Sequence, residues 1–394
     1  MRLAGRTPII TPLQQPSVAI MTPAFFPVNL SYLDRSGCNW GGGERYALDL
    51  ARLCQRLGVG WPTIFQPSSD GWVQVEEGVP FCGVGRWGRA PFEFVAGATA
   101  AFAVAAQHFT HKIYFNPDVG HPAREGELLV THGVYWDQQA SGCWSRHDPA
   151  WRHLMEEVHR RPAAVVSVDT NSINWVRAVL DFDLASKMYY IPNYADENLF
   201  PTPNLAAGSR WPGRTRILFP RRLVYNRGVA IAIALARELL PQHPTLDFRF
   251  VGKGLREYRV QIESLCHQFP DRCTYTYYEG VGIEREYYQA DIVLIPTLDC
   301  EGTSLSCIEA MAAGCAIVAC HPGGIGNLIQ DGFSGLLADP PSVDAVRDSV
   351  YTLLADPKLQ AELGKAARQV FLHAFTKARW AERWTRVFTR LGWV

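Results

Sequence analysis

The 394-residue sequence lacks net charge: 38 Lys+Arg stand against 38 Asp+Glu. That balance argues against nucleic acid as a main partner, because a polyanionic backbone rewards a strong basic excess. Metal-type cysteine spacing is also missing. The ten cysteines, at positions 38, 54, 82, 143, 266, 273, 300, 307, 315 and 320, include no Cys-x2-Cys pair and no matching histidines. No zinc site is expected from them, and most read as reduced core thiols of a cytoplasmic protein. No apolar run is long enough for a bilayer: the richest window, Phe94 to Ala106, falls short of the ~20 residues a spanning helix needs. Met1 to Pro16 has arginines and prolines but no apolar centre, which reads as a short tail and not a signal peptide. The loop Gly41-Gly42-Gly43 does not continue as the dinucleotide fingerprint Gly-x-Gly-x-x-Gly either, since Tyr46 stands at its last position.

What is present is an ordinary globular balance, 47% hydrophobic and 19% charged, in a chain long enough for two α/β domains of roughly 200 residues each. The most informative stretch begins at Ala290. Ile292 to Ile295 is short enough for a buried strand, and Pro296 stops it before a polar turn with Asp299, Glu301 and Gly302. Leu305, Ile308, Met311 and Ala312 then recur at helical spacing, with Ser304 as cap and Gly314 as left-handed terminator. Ala316 to Ala319 is a second strand, leading to Gly323 and Gly324. The turn offers backbone N–H groups of Thr303, Ser304 and Leu305 at the positive end of a helix, where a phosphate can be held. A carboxylate beside a phosphate must accept from neutral donors, and sugar hydroxyls suit Glu301 and Glu309 in that role.

Along the rest of the chain, Ser17 to Thr22 is a strand, and the glycine loop Gly41-Gly42-Gly43 precedes a helix carrying Tyr46, Leu50, Leu53 and Leu57. Such a loop is either a tight turn or a place where a ligand approaches the backbone. Ile64 to Glu93 reads as short strands with Trp72, Phe81, Trp87 and Phe92 among glycine and arginine. It is an edge meander or, with Arg86 and Arg89, a sugar face or peripheral membrane contact. Phe94 to Phe109 is expected as a buried helix, with strands at Lys112 to Asn116 and Leu128 to Val130. His132 follows the second strand directly, at the carboxyl end where α/β proteins bind ligands. His121, His147, His153 and His159 read as surface groups. Asp169 is expected to cap a helix, and Asp181-x-Asp183 reads as a turn despite matching a metal-binding pattern. In the second half, strands are expected at Arg216 to Phe219, Phe248 to Val251 and Tyr275 to Tyr278, the last with its tyrosines in the sheet. Arg222 and Arg227 follow the first of these, placed to neutralise an anion. Phe200 to Gly213 is the linker, and helices are expected throughout after Asp331-Gly332.

The pattern Glu301-x7-Glu309, with Gly302, Ser304, Ala310, Met311, Ala312 and Gly314 in step, resembles glycosyltransferase family 4. Arg222-Leu223-x3-Arg227-Gly228, Phe250-Val251-Gly252-Lys253-Gly254 and Pro192-Asn193-Tyr194-Ala195-Asp196 resemble further segments of that family. The resemblance covers most of the chain and is densest after Arg216. Arg221 departs from the family's usual Gly, Arg227 from its usual Lys, and Asn327 from an acidic position after Gly323 to Gly326. The resemblance implies an α/β chain of two Rossmann-like, doubly wound domains facing a cleft (GT-B), with residues 1–194 for the acceptor, 195–375 for the nucleotide-sugar donor, and 376–394 as a helix crossing back to the first domain. It implies a retaining transfer of sugar from a nucleoside-diphosphate sugar to a glycan, lipid-linked or small-molecule acceptor hydroxyl, without metal or other cofactor, in the cytoplasm or at the inner membrane face. By it, Gly42 and Gly43 lie beside the donor phosphates, His132 touches the donor sugar, Gly252 ends the central strand, and the backbone at Val281 faces the nucleobase. Arg222 and Arg227 take the diphosphate, Glu301 the sugar hydroxyls and Glu309 the ribose. An epimerase or a phosphorylase on the same scaffold, or a non-catalytic sugar-nucleotide-binding subunit, are the alternatives.

Overall fold

The computed structural model describes residues 15–22, 42–68, 71–84, 99–115, 127–134, 149–201, 213–278, 282–299 and 301–394, and the structure below is that of these residues. The chain divides into two compact units: Met1–His132, Gly142–Ile191 and Ala381–Val394 form the first, Gly133–Ser141 and Pro192–Trp380 the second.

The first unit is built on a sheet of eight strands: β1 (Ser17–Met21), β2 (Trp61–Pro67), β3 (Trp72–Glu76), β4 (Val79–Val84), β5 (His111–Phe115), β6 (Leu128–Thr131), β7 (Ala164–Ser167) and β8 (Met188–Tyr190). Their order is β3-β4-β2-β1-β5-β6-β7-β8. Neighbours run parallel except for β3 against β4. The run Val18, Ala19, Ile20 and Met21 is wholly buried, as a parallel strand covered on both faces requires. The chain moves outward from β1 through β2 to β4, then restarts at β5 on the other side of β1. That reversal creates a switch point at the carboxyl ends of β1 and β5.

Several expectations need correcting here. The helix Gly42–Arg56 begins at Gly42, so Gly42 and Gly43 belong to its first turn and not to a free loop. Residues 99–105 are helical, but this helix has two faces: Phe102 is fully buried and Val104 is 63% exposed. His159 is buried, because it lies one helical turn after buried Met155 and its Nδ1 sits 2.7 Å from the Met155 carbonyl; His153 is exposed. In the β2–β4 meander, Trp72 Nε1 donates to Ser68 Oγ at 2.9 Å. Arg86, Trp87, Arg89, Phe92, His121 and His147 lie outside the described residues.

The second unit carries an all-parallel sheet of β9 (Thr215–Phe219), β10 (Leu246–Val251), β11 (Cys273–Thr276), β12 (Ile292–Ile295), β13 (Ala316–Ala319) and β14 (Leu336–Leu337), ordered β11-β10-β9-β12-β13-β14. Strand alternation divides its core. Ile217, Phe219, Phe248 and Phe250 pack on one face, and Leu218, Val251, Val293 and Ile295 on the other. Both faces are covered, so this unit, like the first, is a Rossmann-like α/β layer structure. A charge is buried in it: Arg216, fully enclosed, donates Nε to Asp247 Oδ1 at 2.8 Å and Nη1 to Gln289 Oε1 at 2.6 Å, which offsets the cost of desolvation. Two readings are corrected. β11 stops at Thr276, leaving Tyr277 50% exposed, and the short strand β14 interrupts the stretch expected to be all helical. Residues 202–212 of the expected linker lie outside the described residues. Among the described residues no helix is long and apolar enough to cross a membrane.

Candidate functional site

In the second unit the chain runs from β9 outward to β11, then resumes at β12 on the opposite side of β9. The carboxyl ends of β9 and β12 are therefore neighbours whose following loops diverge, the usual place for a ligand in an open α/β sheet. After β9 the backbone passes through Pro220 and Arg221 into a tight turn, Tyr225–Arg227, closed by Gly228 at φ 73°. A Cβ at Gly228 would collide with the Pro296 carbonyl, so the absence of a side chain lets the turn press against the end of β12. Leu298 N donates to Asn226 O at 3.1 Å across the same junction.

Glu301 is at the centre of this junction. Its Oε2 accepts from Arg227 Nη1 at 2.6 Å, from Thr297 Oγ1 at 3.2 Å and from Arg221 Nη2. Burial alone would push its carboxyl up, but the Arg221 charge, then that of Arg227, holds it below the usual carboxylate range. The loop is fixed from behind. Gly324 N donates to the Glu301 carbonyl at 2.7 Å, and a Cβ on Gly323, at φ 65°, would strike that same oxygen.

Helix Leu305–Ala312 follows, with Ser304 as N-cap accepting from Cys307 N at 3.4 Å, as expected from sequence. The cap uses one amide and leaves those of Leu305 and Ser306 without intrahelical acceptors. Thr303 is buried, and its side chain is engaged elsewhere: Asn193 N donates to Thr303 Oγ1 at 2.8 Å and Asn193 Nδ2 to Thr303 O at 2.6 Å. Glu309 lies one turn into the helix, where Tyr287 OH donates to its Oε2 at 2.8 Å. Burial, then the Glu309 charge, raises the Tyr287 phenol well above its ordinary value, so it stays a donor.

The remaining predicted residues are placed as follows. Arg222 is exposed beside Arg221. Gly252 directly follows β10, and a Cβ there would strike the Arg221 carbonyl, so its bareness shapes the path of the arginine loop. Gly302 is half-buried in the turn. Val281 lies outside the described residues. In the first unit, His132 follows β6 with its ring 5.2 Å edge-on from Tyr46 and 5.4 Å stacked on Phe115. Burial lowers its pKa to about 4, and its Nε2 is enclosed without a hydrogen-bond partner. The structure thus gathers Arg227, Glu301 and the start of helix Leu305–Ala312, with Glu309 on that helix; Gly42, Gly43 and His132 belong to the first unit.

Sequence reasoning missed Arg221, Thr297, Tyr287 and Ser306, whose Oγ donates to Pro220 O at 2.8 Å. Only Arg221 left a signal, as a charged residue directly behind a buried strand where the resembled family has glycine. Among the described residues no group of three or more His, Cys, Asp or Glu stands in position to hold a metal. Asp181 caps the helix Phe182–Ser186, accepting from Asp183 N at 2.6 Å.

Residues 205–370, within the span of the second unit, match the sequence model described as "Glycosyl transferases group 1". The chain is 28% identical over 239 residues to an exopolysaccharide phosphotransferase of Streptomyces coelicolor, covering 59% of this chain and 24% of that protein. It is 26% identical over 261 residues to a GDP-mannose-dependent alpha-(1-6)-phosphatidylinositol monomannoside mannosyltransferase of Mycolicibacterium smegmatis, covering 61% and 66%. The chain thus spans between about a quarter and two thirds of the length of these curated relatives. Among solved structures, sucrose-phosphate synthase from Thermosynechococcus elongatus aligns with a TM-score of 0.74 at 18% identity, over 96% of this chain and 99% of that one. HepE of Anabaena, solved with UDP and glucose, aligns with a TM-score of 0.69 at 15% identity, over 95% and 100%. At such identities the structural likeness shows a shared fold, the GT-B fold of two Rossmann-like domains.

Proposed function

We propose, starting from the glycosyl transferases group 1 match at residues 205–370, that this chain is a retaining glycosyltransferase of the family 4 type. It moves a sugar from a nucleoside-diphosphate sugar to an acceptor hydroxyl on a glycan or a lipid-linked carrier, in the cytoplasm or at the inner face of a membrane. The observation that carries the reading is Glu301, an ionised carboxylate held by two guanidiniums at the switch point between β9 and β12.

Breaking the donor bond builds positive charge at the anomeric carbon and negative charge on the departing diphosphate, so the protein's main electrostatic task is to stabilise the second. Arg227 and Arg222, with the amides of Leu305 and Ser306, are the groups that take it. Guanidinium suits this role because its planar fork matches phosphate oxygens and stays charged at all working pH values. In this reading the arginines supply the positive charge, and the transfer needs no metal. Glu301 accepts from hydroxyls of the donor sugar, and Glu309, oriented by Tyr287, from those of the ribose. His132, neutral at pH 7, offers a ring nitrogen to the sugar. No carboxylate here is assigned as a covalent nucleophile. The leaving phosphate takes the acceptor's proton as the acceptor oxygen attacks on the same face, which retains the anomeric configuration. The relatives that act on GDP-mannose and the neighbour solved with UDP and glucose support a sugar-nucleotide donor.

The test is a thermal-shift screen of nucleoside diphosphates and their sugars, followed by turnover of the hits with acceptors in the presence of a chelator. A donor that binds the folded chain at 100 times its Kd stabilises it by about 2.7 kcal/mol. Arg227→Ala is expected to lower kcat by about 10²–10³ with an unchanged circular dichroism spectrum. Near-normal turnover by that variant removes Arg227 from the mechanism, and conversion of a nucleotide sugar without acceptor points to an epimerase.

A further inference from the structure

Arg221 stands where the resembled family has glycine, and its side chain turns inward. It is 6% exposed. Nη1 donates to Thr297 Oγ1 at 3.1 Å and Nη2 to Glu301 Oε2. Its path is clamped on both sides: Ser306 Oγ donates to the carbonyl of Pro220 at 2.8 Å, and Gly252 passes so close to the Arg221 carbonyl that a Cβ there would collide. Arg227 reaches the same oxygen of Glu301 from a more open place, its side chain 18% exposed against 5% for Arg221.

The two arginines are therefore not equivalent. One is locked in the protein. The other stands at the edge, where an incoming diphosphate competes for it. When Arg227 is drawn to a doubly charged phosphate, Glu301 loses one of its two cations in a buried place, and a buried carboxylate stripped of its partner tends to take up a proton. A protonated Glu301 offers a donor where the sugar hydroxyls need an acceptor.

We propose that Arg221 is a positioning residue for sugar transfer: it keeps Glu301 ionised and fixed through Oε2 while Arg227 serves the diphosphate, leaving Oε1 to grip a donor-sugar hydroxyl. This rests on the reading given under Proposed function. All three donors described for Glu301 go to Oε2. Two of them, Arg221 and Thr297, also bond each other, so the carboxylate stays held when Arg227 departs. The charged and titratable groups facing Glu301 are Arg221, Arg227 and the Cys307 thiol. Burial pushes that thiol up to about 12, so it stays neutral.

The experiment compares the full chain with Arg221→Met and Arg221→Lys, using the sugar nucleotide that the wild type turns over fastest in a panel. Arg221→Met is expected to lower kcat about tenfold or more at pH 7 and to move the acid limb of the kcat/KM profile up by about one pH unit. Affinity for the nucleoside diphosphate should stay within about threefold. Arg221→Lys, which keeps the charge without the fork, should recover part of kcat and most of the pH profile. A kcat within about twofold of wild type and an unmoved acid limb in Arg221→Met overturn the proposal. A second measurement needs no substrate: the Tm deficit of Arg221→Met should be larger at pH 7 than at pH 3, because the contribution of the depressed Glu301 carboxyl is complete above 4.5 and is lost as pH falls below it. An equal deficit at both pH values also overturns it. If the wild type turns over no sugar nucleotide, the transfer reading fails, and this Tm comparison still decides whether Arg221 holds Glu301 ionised.

Discussion

His132 and His159 are two rings that the fold keeps neutral, for the same physical reason and in different surroundings. One lies between Tyr46 and Phe115; the other faces the core from helix Pro149–Arg160 with its Nδ1 against a backbone carbonyl. Burial lowers both from 6.5 to about 4. Between those values the unfolded chain binds protons that the folded chain refuses, so folding stability falls as pH drops through that window. Glu301 shares the sign but not the window, because its depressed carboxyl loses its contribution only below the ordinary carboxylate value of 4.5. Urea unfolding between pH 7.5 and pH 5 therefore isolates the histidines. We expect wild type to lose stability over that interval and His132→Phe to lose less of it. Equal slopes in the two proteins would show that His132 is freely protonated in the folded state.

At the scale of elements, the loop between β12 and helix Leu305–Ala312 depends on glycines elsewhere in the sequence. Gly323 opens the short turn after β13, at a left-handed φ of 65°, and lies against the carbonyl of Glu301. Gly323→Ala adds a methyl that meets this oxygen and a backbone strain of about 1–3 kcal/mol. Relief requires the Glu301 loop to shift, so we expect a loss of turnover greater than the loss of stability. Equal kcat with lowered Tm would show that the loop absorbs the methyl without moving its carboxylate. Why some of this was legible in the sequence and some not follows from the range of each interaction. The strand, cap, helix and left-handed terminator from Ile292 to Gly314 are set by neighbours within a few residues, and each was readable. The two arginine partners of Glu301 come from 74 and 80 positions away, and no local period announces them. Two local readings also failed. A run of glycines reads as a tight turn or a ligand-facing loop, yet Gly42 and Gly43 lie in the first turn of the helix Gly42–Arg56. Tyr277 and Tyr278 continue the β-favouring run of β11, but β10, its neighbour, ends at Val251 opposite Thr276, and a strand without a partner stops.

For the molecule as a whole, the chain's last residues matter because the first unit is discontinuous in sequence. Ala381–Val394 belongs with it although residues 192–380 intervene. The helix Lys377–Arg390 presents Trp384 and Phe388, both fully buried, and Val387 at 2% exposure. Trp384 Nε1 donates to Tyr46 OH at 2.9 Å, the tyrosine that also borders His132. Further on, Trp393 stacks on His111 with ring centres 4.2 Å apart. A segment reached so late in sequence stabilises the unit through burial of large aromatics more than through local propensity. Trp384→Ala is expected to cost about 3–5 kcal/mol, and Trp384→Phe, which keeps most of the apolar area and drops the hydrogen bond, about 1 kcal/mol plus a small cavity term. Urea denaturation followed by circular dichroism measures both. If the alanine variant costs no more than the phenylalanine one, the hydrogen bond and not the aromatic volume ties this segment to the helix Gly42–Arg56 that carries Tyr46.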